Sequence, residues 1–231
     1  MIAAVIAGSI APALLSVQGL GFDHPGRPLF NNFSMTAGPG LTWLRGANGS
    51  GKSTLLSLLA GATPPRVGRV QASGIDMQAR PLDYRREVFW CGPGGVAFDH
   101  LRPDEYFGFI AGLYPRFDTV ALAAHVSGLG LAPHRHKPLS HLSTGTQRKV
   151  ALAAALAVGS SVVLVDEPVN ALDATSLRYF LAALHAACRA GVQTGQQSWL
   201  VASHEALGPA TDGACVVDLD PSPFSPRPSL S

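Results

Sequence analysis

The chain has 231 residues, of which 47% are hydrophobic and only 14% are charged. This composition excludes a highly charged disordered chain, and the length suits one full domain with a sizeable core. Seventeen lysines and arginines against fifteen aspartates and glutamates leave a formal net charge of +2, so no nucleic-acid partner is expected from charge.

The first residues form an apolar segment that carries no charge up to Phe22. A signal peptide needs a positively charged start, and a spanning helix needs about 20 apolar residues. The dense apolar run ends near Leu15 and contains Pro12, so we expect neither. The three cysteines form no CxxC pair, which favours a reducing cytoplasm without a disulfide framework or structural zinc site.

The start of the chain predicts three short strands. Residues 14–22 and 29–35 are apolar runs separated by the turn-forming His24-Pro25-Gly26, which indicates two strands of a small antiparallel layer. Residues 41–44 suit a buried strand that leads into a glycine-rich segment at 46–51.

The middle of the chain predicts helices. A leucine-rich run follows Lys52 and predicts a helix that ends at Gly61. From residue 68 to about residue 139 the pattern is irregular, with helix candidates at 104–113 and 119–129. We interpret this part as an inserted helical region.

The last part alternates predicted helices and strands. Helices are predicted at 147–158 and 174–190, and buried strands at 161–165 and 198–202. This alternation is typical of an α/β fold. The tail at 220–231 is rich in proline and serine, which predicts disorder.

Residues 46–54 match the phosphate-binding pattern GxxxxGK[ST], and they lie between a predicted strand and a predicted helix, the context that this motif requires. Glycines let backbone N–H groups curl around a β-phosphate, and the helix dipole favours the anion. Lys52 would reach the β- and γ-phosphates, and the Ser53 hydroxyl would ligate Mg²⁺. The predicted phosphate-binding residues are Gly46, Asn48, Gly49, Ser50, Gly51, Lys52, Ser53 and Thr54.

A second motif, Asp166-Glu167-Pro168, follows the strand predicted at 161–165, at the end where open α/β sheets bind ligands. We expect Asp166 to hold Mg²⁺ and Glu167 to act as the general base that polarises the water attacking the γ-phosphorus. The alternative is that these residues merely cap a strand and start a turn. Their pairing with the Lys52 loop favours the catalytic interpretation.

Residues 142–146, LSTGT, stand before this strand. With these three motifs in order, the chain resembles the ATP-binding cassette ATPases that power ABC transporters, whose signature at this place is LSGGQ. Thr144 and Thr146 replace a glycine and the glutamine. In the family this loop caps the γ-phosphate bound by the opposite protomer, which implies that role for Ser143 and Gly145. A plain helix cap at Ser143 is compatible with it.

The resemblance extends to further motifs. Residues 170–173, NALD, resemble the D-loop that crosses the dimer interface in this family, with Asn170 in place of a serine. His204 matches the switch histidine that contacts the γ-phosphate. The aromatic residue that stacks on adenine corresponds by position to His24, with Phe22 as the alternative.

One position departs from the family. Where its members have a glutamine that reaches Mg²⁺ and links the nucleotide to the membrane subunit, this chain has Cys91 and a glycine-rich stretch. The missing amide implies slower hydrolysis, a substituting water or altered coupling. Four aromatic residues of the helical region are either core or part of the groove that receives a coupling helix in the family: Tyr106, Phe107, Phe109 and Tyr114.

The resemblance implies an α/β fold of the P-loop NTPase cassette type, with a mostly parallel central sheet, a small antiparallel β layer and an inserted helical subdomain. The cassette would span residues 13–219, with the helical subdomain at about 95–155. The implied function is an ATPase that binds ATP and Mg²⁺ in a head-to-tail homodimer or heterodimer of cassettes. It would drive a separate transmembrane permease subunit from the cytoplasmic face of the membrane.

Two alternatives stay open. A soluble cassette acting on ribosomes or DNA usually has a second cassette or long coiled-coil arms, and neither pattern is found in this sequence. An unrelated phosphate-loop kinase or GTPase needs neither the Ser143 loop nor His204. The compact length is similar to that of haem-exporter ATPases and of simple two-component exporters.

Overall fold

Two β-sheets form the framework of the chain, and helices pack against them. The computed structural model describes residues 13–24, 27–93, 98–211 and 213–219. The predictions for the apolar start and for the C-terminal tail concern residues 1–12 and 220–231, which lie outside this described part.

The smaller sheet is antiparallel. It consists of β1 (Leu15–His24), β2 (Arg27–Ala37), β4 (Val67–Ala72) and β5 (Ile75–Asp76), paired in the order β2-β1-β4-β5. The first two strands confirm the predicted antiparallel layer. Residues 68–76 belong to this sheet and not to a helical region, because β4 pairs with β1 from Leu15 opposite Ala72 to Gly21 opposite Val67.

The larger sheet is parallel. Its strands are β3 (Gly40–Arg45), β6 (Val88–Cys91), β7 (Val162–Asp166), β8 (Ser198–Ser203) and β9 (Cys215–Asp218), in the order β6-β7-β8-β3-β9. Every residue of β7 and β8 is buried, as expected for central strands that are covered on both faces. The predicted strands at 41–44, 161–165 and 198–202 are therefore confirmed to within one or two residues.

Six α-helices lie within the described residues. They are α1 (Lys52–Leu59), α2 (Pro81–Glu87), α3 (Pro103–Leu113), α4 (Thr119–Gly128), α5 (Thr144–Ala157) and α6 (Ala174–Thr194). None of the helices in the described ranges is both long enough and apolar enough to cross a membrane. The helices predicted at 104–113 and 119–129 are confirmed as α3 and α4, and α5 packs against both.

The core has two parts, one on each face of the parallel sheet. Val162 and Leu164 of β7 belong to a cluster that contains the leucines of α1 and the inner face of β1. Val163 and Val165 point to the opposite cluster, which contains α3, α5 and α6. Helix α1 is thus held between the two sheets, and this packing places its N-terminus at the carboxyl edge of the parallel sheet.

Candidate active site

Three loops meet at the carboxyl edge of the parallel sheet. The glycine-rich loop follows β3, Glu167 follows β7, and His204 follows β8. Strand β8 lies between β7 and β3 and pairs with both in parallel, so the three loops leave neighbouring strands on the same side. The structure therefore brings together motifs that are more than 150 residues apart in the chain, at the edge where α/β sheets bind ligands.

The glycine-rich loop leads directly into α1. Gly49 and Gly51 have φ angles of 81° and 100°, which only glycine adopts without strain. No side chain of the described residues caps the start of α1 after Gly51, so the first N–H groups of this helix are open to an anion. A Cβ at Gly51 would also come within 3.1 Å of the Phe30 ring, so the loop is tightly packed against β2.

Lys52 is buried, and its ammonium donates hydrogen bonds to the glycine-rich loop that precedes it. Nζ donates to the carbonyl oxygen of Gly46 at 2.6 Å and to that of Ala47 at 3.2 Å. It also lies 3.7 Å from Oε1 of Glu167, which forms an ion pair across the site. A positive charge is thus held in a nearly solvent-free position at the mouth of the loop, where a phosphate would compete with these acceptors.

Asp166 ends β7 and is fully buried. Both of its side-chain oxygens lack a hydrogen-bond partner within the described part of the chain. Burial raises the pKa of Asp166, as does the charge of Glu167, whereas the nearby Ser53 hydroxyl, Arg148 and Lys52 lower it. A buried carboxylate of this kind fits a divalent cation, and Ser53, whose hydroxyl acts on the same carboxylate, lines the adjacent cleft. The residues present therefore fit Mg²⁺.

Glu167 has an unusual backbone. Its φ angle is 44°, in the left-handed region that non-glycine residues rarely adopt, and its N–H donates to the carbonyl oxygen of Ala202 at 2.8 Å. Strain of this kind concentrates at functional sites, where the surrounding structure holds it. Its Oε2 lies 3.3 Å from Nδ1 of His204, so the carboxylate stands between the histidine and Lys52.

A cleft of about 280 Å³ opens beside these groups. His24 lies at its mouth, with Nε2 3.4 Å from Oγ1 of Thr54 and its ring edge-on to Phe22 at 5.3 Å. The predicted residues that line the cleft are His24, Asn48, Gly49, Gly51, Lys52, Ser53, Thr54 and Glu167. A planar ligand group could stack at this mouth while phosphates enter the loop.

Ser143 and Gly145 lie outside this cleft in the described structure. Ser143 is the N-cap of α5, and its hydroxyl accepts the N–H of Thr146 at 3.2 Å, so the capping interpretation holds within one chain. Gly145 faces the D-loop, because a Cβ there would lie 2.4 Å from the carbonyl oxygen of Ala171. The predicted signature is therefore an exposed helix N-terminus that is held against the D-loop.

Asp173, at the end of the D-loop, connects the D-loop to α5 through an ion pair that the sequence did not predict. Asp173 caps α6 by accepting the N–H of Ser176 at 2.9 Å, and it pairs with Lys149 of α5 at 2.5 Å. The Lys149 ammonium beside Asp173 holds the pKa of that carboxyl well below its usual range. The available signal was Lys149 itself, a basic residue three positions after the signature, which lies in the second turn of α5.

An apolar groove of about 1000 Å³ is lined in part by β6. Tyr106, Phe109 and Tyr114 line it, but Tyr106 is also buried in the core with Phe107, and Tyr114 packs against that core. The four aromatic residues therefore serve both predicted roles. Trp90, Cys91 and Gly92 also line the groove. Burial raises the pKa of the Cys91 thiol, which lies where the sequence lacks the expected glutamine.

Comparison with known proteins agrees with this geometry. The family model described as ABC transporter matches residues 30–170. The chain is 33% identical to the cytochrome c biogenesis ATP-binding export protein CcmA of Cupriavidus necator over 198 residues, which cover 84% of each chain. It is 37% identical to the protein of the same name from Alkalilimnicola ehrlichii, covering 79% of this chain and 78% of that relative.

A solved structure entitled "Structure of ATP binding subunit of ABC transporter" matches with a TM-score of 0.79 and 21% identity, over 89% of this chain and 85% of that one. This likeness shows the same cassette fold. The family match covers more than half of the chain, and the sequence relatives extend it over most of the rest. The chain therefore belongs to the ABC transporter family, as one of its ATP-binding ATPase subunits.

Proposed function

We propose that this chain hydrolyses Mg-ATP as one of two cassettes that close head to tail, and that it drives export through a separate membrane subunit. The observation that carries the proposal is the meeting of Lys52, Asp166, Glu167 and His204 at one edge of the sheet. The catalytic cassette would occupy residues 13–219, with its helical subdomain at about 95–155.

Phosphate binding would begin with an exchange of partners at Lys52. Its ammonium now donates to Gly46 and Ala47 and faces Glu167. The β- and γ-phosphates are stronger acceptors than backbone carbonyls, and they would take over these donors together with the open N–H groups of α1. Glu167 would thereby lose its nearest cation and be free to accept a proton.

Ser53 and Asp166 would hold Mg²⁺, which when bound neutralises charge on the phosphate oxygens. Glu167 would then orient the attacking water and take its proton, and its position beside His204 suits that role. His204 would contact the γ-phosphate from the end of β8. His24 would stack on the adenine at the mouth of the cleft.

A second cassette would complete the site. Ser143 and Gly145 sit at an exposed helix N-terminus away from the cleft of their own chain. Their donors could therefore reach a γ-phosphate only across an interface, in a homodimer or in a heterodimer with another cassette.

A membrane subunit would dock in the apolar groove. Leu82, Phe109 and Leu113 line it and keep 40% or more of their surface exposed, which is unusual for large apolar side chains next to one another. The apolar face of a cytoplasmic helix from that subunit is the occupant that we propose, with the chain on the cytoplasmic face of the membrane. The names of the CcmA relatives, which call them export proteins, support export as the direction.

The catalytic part is tested with Glu167→Gln in the full chain. We expect ATP binding to persist while phosphate release falls by about 100-fold or more, because an amide cannot take the proton. Light scattering with Mg-ATP should show a dimer that the unsubstituted protein forms only transiently. Glu105→Gln is the matched control, since Glu105 is exposed on α3 and its side chain accepts the N–H of Arg102 away from the site, and this variant should hydrolyse at the full rate.

The partner is tested by purifying tagged Glu167→Gln protein with Mg-ATP in mild detergent and identifying what accompanies it. A polytopic membrane protein would support the exporter proposal. Ribosomal proteins or DNA without any membrane protein would instead favour the soluble cassette. A Glu167→Gln variant that hydrolyses ATP at the unsubstituted rate would refute the assignment of the base.

A further inference from the structure

Arg148 is a buried arginine in the second turn of α5, five residues after Ser143. Only 4% of its surface is exposed. Its Nη1 donates to the carbonyl oxygen of Gly92 and lies 3.4 Å from Sγ of Cys91, and its Nη2 donates to the carbonyl oxygen of Asp166. One side chain therefore holds the ends of two strands.

The two carbonyls lie where the strand pairing stops. Strands β6 and β7 are paired in register from Val88 opposite Val162 to Cys91 opposite Val165. Gly92 and Asp166 come next in each strand, beyond the last pair. The planar guanidinium spans them with donors of fixed geometry, and so it extends the cross-connection of the two strands by one residue.

A buried guanidinium is expensive to desolvate, and an apolar residue of similar volume would often suit a core equally well. Nε of Arg148 has no hydrogen-bond partner among the described residues, which adds to that cost. The acceptors of its Nη1 and Nη2, the carbonyl oxygens of Gly92 and Asp166, belong to two different functional regions of the molecule. This cost is consistent with a functional role for the residue.

The two functional regions are the apolar groove and the proposed cation site at Asp166. Cys91 and Gly92 line the apolar groove, whereas Asp166 is buried directly before Glu167, which lines the cleft together with Lys52 and Ser53. Helix α5 itself begins at Ser143, the signature serine. Arg148 is thus a direct connection from the groove, through one side chain, to the strand end that carries the cation ligand.

We propose that Arg148 is a positioning residue that couples the nucleotide site to the apolar groove, in a chain that has Cys91 where a linking glutamine was expected. This inference rests on the proposed function of the two sites. When the Asp166 carboxylate shifts to hold the cation, the backbone carbonyl of the same residue would shift with it. Arg148 would transmit this movement to Gly92 and the groove. Movement of the groove by a docked partner travels back along the same bonds.

The emission of Trp90 tests this proposal, because its ring lines the groove one residue before Cys91. Trp43 lies near the nucleotide site, with Nε1 2.8 Å from Oγ of Ser203, so its signal must be removed. Each protein is therefore measured beside its own Trp90→Phe counterpart, and the difference between the two gives the response of Trp90 to saturating Mg-ATP. The pairs are built on the unsubstituted chain and on Arg148→Met, Arg148→Lys and Arg189→Met.

We expect Mg-ATP to change the Trp90 emission of the unsubstituted chain, and Arg148→Met to lose more than half of that change. The affinity for ATP without Mg²⁺ should stay within about twofold, because Arg148 touches none of the loop residues that bind phosphate. Arg148→Lys keeps the charge but not the two-carbonyl geometry, so its response should be intermediate. Arg189→Met removes an exposed arginine of α6 and should respond fully.

A full Trp90 response in either Arg148 variant, folded by circular dichroism, would overturn the coupling role. So would an unsubstituted chain that binds Mg-ATP without any change at Trp90. Arg148→Lys decides the question if Arg148→Met does not fold. Failure of the unsubstituted chain to bind ATP would contradict the proposed function instead, and the ATP titration separates the two results.

Discussion

Replacing Gly145 by alanine tests how closely the signature segment is packed against the D-loop of the same chain. A Cβ at this position would lie 2.4 Å from the carbonyl oxygen of Ala171, whereas real Cβ contacts essentially never fall below 3.0 Å. Gly145 lies in the first turn of α5 and outside the left-handed region, so the backbone itself accepts alanine. The whole penalty therefore comes from this one contact.

The size of the destabilisation depends on which groups can move to relieve the contact. The obstacle is a backbone carbonyl, which cannot rotate away as a flexible side chain would, so either α5 or the D-loop must shift. Overpacking of this kind costs about 1–3 kcal/mol, and we expect the free energy of unfolding to fall by about 2 kcal/mol. Displacing the D-loop should also slow ATP hydrolysis, because Ala171 lies only four residues after Glu167, the proposed general base.

Gly108→Ala is the matched control. Gly108 is exposed in the middle of α3, and a Cβ there would meet nothing within 4 Å. Alanine should therefore stabilise this helix by about 1 kcal/mol. In urea unfolding followed by circular dichroism, the free energies of unfolding of the two variants should differ by about 3 kcal/mol, with Gly145→Ala below the unsubstituted chain and Gly108→Ala above it. A Gly145→Ala variant as stable as the unsubstituted chain would refute the close contact with Ala171.

Three further changes probe the site and its surroundings. Lys52→Met should weaken ATP binding by about 100-fold in calorimetry, since two charge-assisted bonds to phosphate contribute about 3 kcal/mol, whereas Lys137→Met on the exposed surface should bind normally. Chelating Mg²⁺ with EDTA should stop phosphate release and leave the circular dichroism spectrum unchanged, and continued hydrolysis would contradict a cation at Asp166. Asp173 has a lowered pKa in the folded chain, so its contribution to stability is present above pH 4 or so and is lost as the pH falls further; acid unfolding of Asp173→Asn should lack this component, and an unchanged acid profile would contradict the Lys149 pair.

The sequence predicts the phosphate loop and the acidic strand end because each is encoded locally. A glycine-rich loop between a strand and a helix, with Lys52 and Ser53 at the helix start, has few uses other than binding phosphate. The meeting of Lys52 with Asp166 and Glu167 follows from one rule, that the carboxyl ends of neighbouring parallel strands share an edge. The burial of residues 162–165 is predictable from the sequence alone, because they form an unbroken apolar run.

The strands that the sequence analysis missed are short and depend on distant partners. Strand β4 reads VGRVQA, and only Val70 and Ala72 of its residues are buried, so no clear alternation marks it. Its geometry comes from pairing with β1, about 50 residues away. Strand β9 is likewise an edge strand of four residues beside β3. Such elements are specified by the sheet that receives them more than by their own propensity.

Arg148 shows the same limit at the level of one side chain. In the sequence it belongs to a polar start of a helix, where an arginine usually faces solvent and tolerates exchange for lysine. Its acceptors lie 56 and 18 residues away in the chain, at Gly92 and Asp166, so no local sequence pattern predicts that Arg148 is buried. The position of α5 against the ends of β6 and β7 decides its environment. Because two carbonyls in a fixed arrangement require a planar donor, the structure reverses the usual expectation, and lysine becomes a disruptive substitution at this position.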